Sequence, residues 1–288
     1  MKLAGLVVAA HGRQYRVELA DGTTLVCLPR GKKSEVVCGD RVVVEQVSPG
    51  QGVIGALTPR QTLLYRSDRW KQKLIAANVT QIVIVVATEP SFSDELVTRC
   101  IVAAESQGIE VLIVLNKCDL LERLAEARAM LAPYRELGYR VLELAARIDA
   151  TSIVPCLARH TSLLIGQSGM GKSTLTNALI PQAQATIRPV SQALKAGRHT
   201  TTHASLYHFG ENAALIDSPG LMAFGLRHLS LACIAEAFRE LRPLLGQCRF
   251  RDCLHEREPD CRVLAALRAG KISPRRYAAF RSLCAELA

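Results

Sequence analysis

The nine residues Gly166-Gln167-Ser168-Gly169-Met170-Gly171-Lys172-Ser173-Thr174 fit the pattern G-x-x-x-x-G-K-[ST], a phosphate-binding loop, and the rest of the chain is interpretable around them. The apolar run Ser162-Leu163-Leu164-Ile165 ahead of the loop reads as a strand, and residues 173–180 after it read as a helix, which is the context the motif needs. Glycines let backbone N–H groups wrap closely around an anion, and the positive end of the following helix dipole reinforces them. Lys172 would reach the β- and γ-phosphates of a nucleoside triphosphate, and the Ser173 hydroxyl would ligate Mg²⁺.

Outward from the loop, strands and helices alternate. Gln81-Ile82-Val83-Ile84-Val85-Val86-Ala87 is the continuous β-branched run of a strand buried on both faces of a parallel sheet. Residues 96–107 read as a helix, 111–115 as a strand, 120–137 as a helix, 140–144 as a strand and 213–216 as another, so the central domain is a doubly wound α/β unit. Directly after the strand at 111–115 comes Asn116-Lys117-Cys118-Asp119, an N-K-x-D tetrapeptide at the carboxyl end of a strand, where open α/β sheets bind ligands. A buried carboxylate at Asp119 would accept from both N1–H and the exocyclic amine of guanine and be left unpaired by adenine. Asn116 would tie neighbouring loops and the Lys117 stem would lie over the base. Asp217-Ser218-Pro219-Gly220 fits D-x-x-G, with Asp217 on Mg²⁺ and the Gly220 N–H near the γ-phosphate. Between these motifs the polar segment 195–202 offers Thr201 as a further Mg²⁺ ligand.

The 288 residues are enough for two or three domains, and a formal charge of +10 favours polyanionic partners without choosing among RNA, DNA and anionic lipid. No apolar run approaches the roughly 20 residues needed to cross a bilayer. The amino terminus runs straight into strand-like sequence with no signal-peptide cleavage site, and a soluble, cytoplasmic protein is expected. Six of the ten cysteines, scattered in apolar or ordinary contexts, are those of a reducing compartment.

Residues 1–62 show short β-like runs at 6–9, 15–19, 25–28 and 41–47, punctuated by Gly and Asp, as in a five-stranded OB-type barrel. Its basic loop Arg30-Gly31-Lys32-Lys33 suits phosphates, and Tyr15 is its one candidate for stacking on a base. Residues 58–73 read as a basic linker leading into a GTPase domain at 63–228. At the other end, residues 229–288 contain Cys248-x4-Cys253-x-His255-x5-Cys261, a Cys₃His set that closes a structural Zn²⁺ site and leaves no position for a catalytic water. Arg249, Arg251, Arg257 and Arg262 surround it, and a basic segment at 268–281 follows.

Guanine-specific GTPases carry the phosphate loop first and N-K-x-D last; here the order is reversed, as in a circular permutation. Barrel, permuted GTPase and Cys₃His domain together resemble the ribosome small-subunit-dependent GTPase A family, the bacterial RsgA/YjeQ type. The matching residues are Ala77-Asn78-Val79, N-K-C-D, G-Q-S-G-M-G-K-S-T, G-R-H-T-T-T, D-S-P-G and the four zinc ligands. The resemblance implies GTP hydrolysis stimulated by the small ribosomal subunit, contacts with its rRNA and a role in its late maturation; nothing in the sequence suggests an obligate dimer, and a monomer is expected. Two departures stand out. The loop that in the family supplies a Ser-Ala contact to guanine is Leu144-Ala145-Ala146, and the position of a water-orienting glutamine is Leu221. An apolar Leu221 cannot orient water. Slow intrinsic hydrolysis is therefore expected, with His199 as the hypothesised substitute. Negligible turnover in a binding-only factor, association with anionic lipid and metal-dependent hydrolysis are the competing readings.

Overall fold

A computed structural model describes residues 2–31, 35–67, 72–183, 204–210, 212–218 and 224–287. The amino-terminal barrel has five strands, β1 (Lys2–His11), β2 (Gln14–Leu19), β3 (Thr24–Pro29), β4 (Arg41–Ser48) and β5 (Gln51–Leu57). They pair in the order β1-β2-β3-β5-β4, with β3 and β5 parallel, and the antiparallel β1–β4 ladder from Lys2↔Glu45 to Leu6↔Arg41 closes the barrel. Alternation turns Val7, Tyr15, Val17, Leu25, Cys27, Val42, Val44 and Ile54 inward to form a separate small core. Gly52 is required inside it, because a Cβ there would stand 2.6 Å from Val44 Cγ1. Tyr15 is 3% exposed within this core, so it is no stacking platform; its place in the alternation sends the ring inward.

The expected basic linker is instead partly a hairpin, β6 (Leu63–Ser67) against β7 (Gln72–Ala77), in its own two-stranded sheet. Barrel and hairpin are clamped at the loop before β4. Arg60 makes a bidentate pair with fully buried Asp40 (Nε–Oδ1 2.7 Å, Nη2–Oδ2 2.9 Å). Asn78, in a left-handed conformation, donates to Gly39 O at 2.9 Å and accepts from Gln61 N at 2.9 Å.

The α/β sheet has the order β10-β9-β8-β11-β13-β12, where β8 is Gln81–Ala87, β9 Glu110–Asn116, β10 Arg140–Glu143, β11 Thr161–Ile165, β12 Ser205–Phe209 and β13 Ala213–Asp217. Every residue of β8 is buried, as its β-branched run demands. The strands are parallel apart from β12, an antiparallel edge outside the sequence reading, which joins the barrel through the pair Ala9↔Ser205. The chain leaves β8 towards β9 and β10, then returns to β11 on the other side of β8. That reversal is a topological switch point, and its crevice opens at the carboxyl ends of β8 and β11.

Helix α1 (Asp94–Glu105) follows β8; Ser93 caps it, Oγ accepting from Leu96 N at 3.3 Å, and Asp94 and Glu95 suit its first turn. The helix expected at 120–137 is a 3₁₀ turn followed by α2 (Leu124–Glu136); a short α3 (Val154–Leu157) precedes β11, and α4 (Lys172–Leu179) follows the phosphate loop. The carboxyl-terminal part holds α5 (Leu231–Ala237), α6 (Arg262–Arg268) and α7 (Pro274–Ala285). Its apolar residues Phe238, Val263, Phe280 and Leu283 are continuous with the α/β core. Among the described residues no helix is long and apolar enough to cross a membrane.

Candidate functional site

The phosphate loop sits at the switch point. A Cβ on Gly166 would lie 2.2 Å from Val85 O, so only glycine allows the loop to leave β11 so close to β8. Gly169 and Gly171 take φ of 85° and 91°, and a Cβ on Gly171 would meet Asn116 Nδ2 at 2.2 Å. Met170 is buried under the loop, Ser168 is exposed at its crest, and Gly169, Ser173 and Thr174 are half-buried. Lys172 opens α4 and folds its ammonium back into the curl, where Nζ donates to Gly166 O at 2.5 Å and Gln167 O at 2.8 Å. Burial pushes the Lys172 ammonium down to about 8, with the facing Asp217 carboxylate opposing the shift. Asp217, at the end of β13, has its carboxyl pushed up by burial and pulled back by Lys172. The Ser173 hydroxyl and Asp217 carboxylate are hard oxygen donors, the class that suits Mg²⁺.

Asn116 is 2% exposed and holds three loops together. Nδ2 donates to Met170 O at 2.9 Å, while Oδ1 accepts from Lys117 N at 2.8 Å and from Ala146 N at 2.9 Å. The Leu144–Ala146 loop is thus fixed to N-K-x-D through its backbone, and Cys118 N donates to Leu144 O at 3.1 Å. Lys117 turns the chain with φ of 61°; its Nζ donates to Glu89 O at 2.7 Å and burial lowers its ammonium. Asp119 differs from expectation, because it is exposed rather than buried. The left-handed turn at Lys117 carries it to the rim of a cleft of about 360 Å³ lined by Thr88, Glu89, Leu120, Leu121 and Arg123. A base entering that cleft would have to bury Asp119 for discrimination to operate. His199, Thr201, Gly220 and Leu221 lie outside the described residues.

One contact here was not foreseen. Gln167 turns its side chain away from the loop, and its Oε1 accepts from Ser93 N at 2.9 Å. Ser93-Asp94-Glu95 carries a helix-start signature that could have located the start of α1, but no sequence signal pairs it with Gln167.

The second centre is the Cys₃His cluster, whose four donor atoms all lie within 4.8 Å of one another. Cys248 Sγ is 3.8 Å from Cys261 Sγ and 3.6 Å from His255 Nδ1, which is 3.4 Å from Cys261 Sγ. Tetrahedral bonds of about 2.3 Å to sulfur and about 2.0 Å to nitrogen put neighbouring donors about 3.5–3.8 Å apart, so this donor set fits Zn²⁺. Backbone N–H groups of Arg262 and Leu264 point at Cys248 and Cys261 sulfurs at 3.4 Å, and Cys261 doubles as the N-cap of α6. Several arginines of this part are paired within the chain. Arg276 is 1% exposed against Glu240, Arg275 pairs with Asp94, Arg281 with Glu256 and Arg249 with Asp260.

Comparison with known proteins agrees with this architecture. The model of the RsgA GTPase family matches residues 57–227. A small ribosomal subunit biogenesis GTPase RsgA of Nitrosospira multiformis is 53% identical over 285 residues, covering 99% of this chain and 91% of the relative. Its namesake from Burkholderia pseudomallei is 52% identical over 287 residues, with 98% and 91% covered. Among solved structures, YjeQ from Thermotoga maritima superposes with a TM-score of 0.78 at 29% identity, covering 100% of this chain and 99% of its own. YloQ, a circularly permuted GTPase, gives 0.73 at 25% identity, with 100% and 95% covered. The permuted order of motifs, the switch-point loop and these relatives lead to one conclusion: the chain belongs to the RsgA GTPase family and is a GTP hydrolase of circularly permuted fold.

Proposed function

We propose that this GTPase binds the small ribosomal subunit in the cytoplasm as a monomer, hydrolyses GTP when stimulated by it, and acts in its late maturation. The observation that carries the reading is the family relationship over nearly the whole chain, with relatives named for small-subunit biogenesis. In this reading the units 1–62, 63–228 and 229–288 are an rRNA-gripping barrel, the GTPase domain and a zinc-binding domain.

Each role follows from residue chemistry. Backbone N–H groups of Gly166–Thr174 hold the α- and β-phosphates, and Lys172 neutralises charge on the β- and γ-phosphates. Ser173, Asp217 and Thr201 would hold Mg²⁺, which would supply positive charge against the phosphates. Asn116, Lys117, Cys118 and Asp119 form the guanine site, and the Gly220 N–H faces the γ-phosphate. His199 orients the attacking water when the small subunit is bound, because Leu221 has no group able to do so. Cys248, Cys253, His255 and Cys261 hold one structural Zn²⁺. Loss of the γ-phosphate relaxes the segments around Asp217 and Thr201 and releases the protein.

Steady-state GTP hydrolysis with no addition, with small subunits, with large subunits and with anionic liposomes tests the proposal. Stimulation by small subunits alone is expected. A rate unmoved by small subunits, despite guanine-specific binding, would leave a binding-only factor; stimulation by liposomes would point to a membrane surface. Unchanged stimulated turnover in His199→Ala would remove that residue from the scheme.

A further inference from the structure

At the start of α1, two adjacent residues face two different parts of the molecule. Ser93 N donates to Gln167 Oε1 of the phosphate loop at 2.9 Å. Asp94 Oδ1 pairs with Arg275 Nη2 of α7 at 3.1 Å and accepts from Tyr134 OH at 2.6 Å. Behind them runs a buried polar chain: Tyr134 OH lies 3.1 Å from Thr98 Oγ1, which accepts from Arg276 Nη1 at 2.9 Å, and Arg276 Nε donates to Glu240 at 2.7 Å. Thr98, Tyr134 and Arg276 are each no more than 1% exposed, so water does not compete for these bonds. One hydrogen bond therefore separates the phosphate loop from a helix cap whose next residue grips the zinc-binding part.

We infer that Gln167 is a positioning residue that registers the state of the phosphate loop on α1 and, through Asp94 and Arg275, on the carboxyl-terminal helix α7. The inference rests on the reading that the loop binds GTP. Phosphates bound by the loop's N–H groups hold its backbone in one arrangement, and Gln167 belongs to that backbone. Its side chain transmits the constraint to Ser93, which caps α1 and cannot shift without moving Asp94. This route differs from the relaxation proposed around Asp217, which answers to the γ-phosphate. Gln167 answers to the phosphates common to GDP and GTP, so both nucleotides engage it. Coupling between two sites is reciprocal, so weakening the Arg275 end must weaken nucleotide binding by the factor by which nucleotide tightens that end.

Hydrogen–deuterium exchange on the full-length, zinc-loaded protein tests this, free and saturated with GDP or a non-hydrolysable GTP analogue, after each affinity has been titrated. The variants are Gln167→Met, which keeps the side-chain length but loses the acceptor, Gln167→Glu, which keeps an acceptor, and Arg275→Ala. In the parent and in Gln167→Glu, GDP should slow exchange over residues 274–285 by on the order of fivefold, and Gln167→Met at saturation should abolish that change. Arg275→Ala should weaken GDP binding by a similar factor. It leaves the loop sequence intact, so it is decisive even where Gln167→Met fails to fold. GDP-induced protection that survives Gln167→Met, or GDP affinity unmoved by Arg275→Ala, overturns the inference while the GTPase reading stands. A parent protein that binds no guanine nucleotide overturns both.

Discussion

Lys172 shows how one residue's surroundings set its chemistry. Burial in the curl of the phosphate loop pushes its ammonium from the ordinary 10.5 down to about 8, and the Asp217 charge only partly offsets this. The sign for stability follows: above pH 8 the unfolded chain holds a proton that the folded one has lost. The cost of burying the charge is therefore fully present below about pH 8 and fades as pH rises towards 10.5. Bound phosphates favour the charged form, so GTP binding between those limits should take up close to one proton and weaken as pH rises. Calorimetry in two buffers of different ionisation enthalpy reads that uptake directly. An uptake of zero at pH 9 would mean that Lys172 is not the phosphate ligand. The residue type and its place were legible because G-x-x-x-x-G-K-[ST] is local. The grip of Asn116 on Ala146 was not, since the donor is a backbone N–H that any residue could supply.

At the scale of elements, the zinc-binding loop shows both what spacing reveals and what it hides. Four donors within fourteen residues are readable because ligation needs specific side chains at short range. Which arginines around them are free is not readable, because their partners lie far away in sequence: Asp94 for Arg275 and Glu240 for Arg276. The inward turn of Tyr15 is not readable for a related reason, since barrel closure decides which face of β2 is inside. Cys261 is both a metal ligand and the N-cap of α6, so Cys261→Ala should remove the metal and also about 1 kcal/mol of capping. Elemental analysis should fall from one zinc per chain to none, and limited proteolysis should cut between residues 246 and 270 while GDP binding persists. A parent protein that carries no zinc, with a variant that resists the protease as well as the parent does, would show that the cluster is only a packed group of thiols.

Across the whole molecule, the permuted motif order was legible from the positions of N-K-x-D and the phosphate loop, but the way the flanking parts attach was not. β1 meets β12 across nearly two hundred residues, and Asn78, which the sequence marks only as part of the matching stretch Ala77-Asn78-Val79, works as a clasp between barrel and hairpin. Each flank also carries a buried Arg–carboxylate pair: Arg60 with Asp40 in the barrel clamp, and Arg276 with Glu240 beneath α1. Asp40 has 0% side-chain exposure and Glu240 7%, so removing either arginine leaves a carboxylate in a place water does not reach. Breaking a buried pair in that way costs about 3–5 kcal/mol, far more than an exposed pair of the Arg123–Glu126 kind. Arg60→Met and Arg276→Met keep most of the volume and isolate this effect, and each should lower unfolding stability in urea by about 3 kcal/mol. The two pairs share no partner, so the double variant should add to within about 0.5 kcal/mol. A combined loss well below the sum would mean that the flanks are not held independently, and that the GTPase core transmits strain from barrel to zinc-binding end even without a nucleotide.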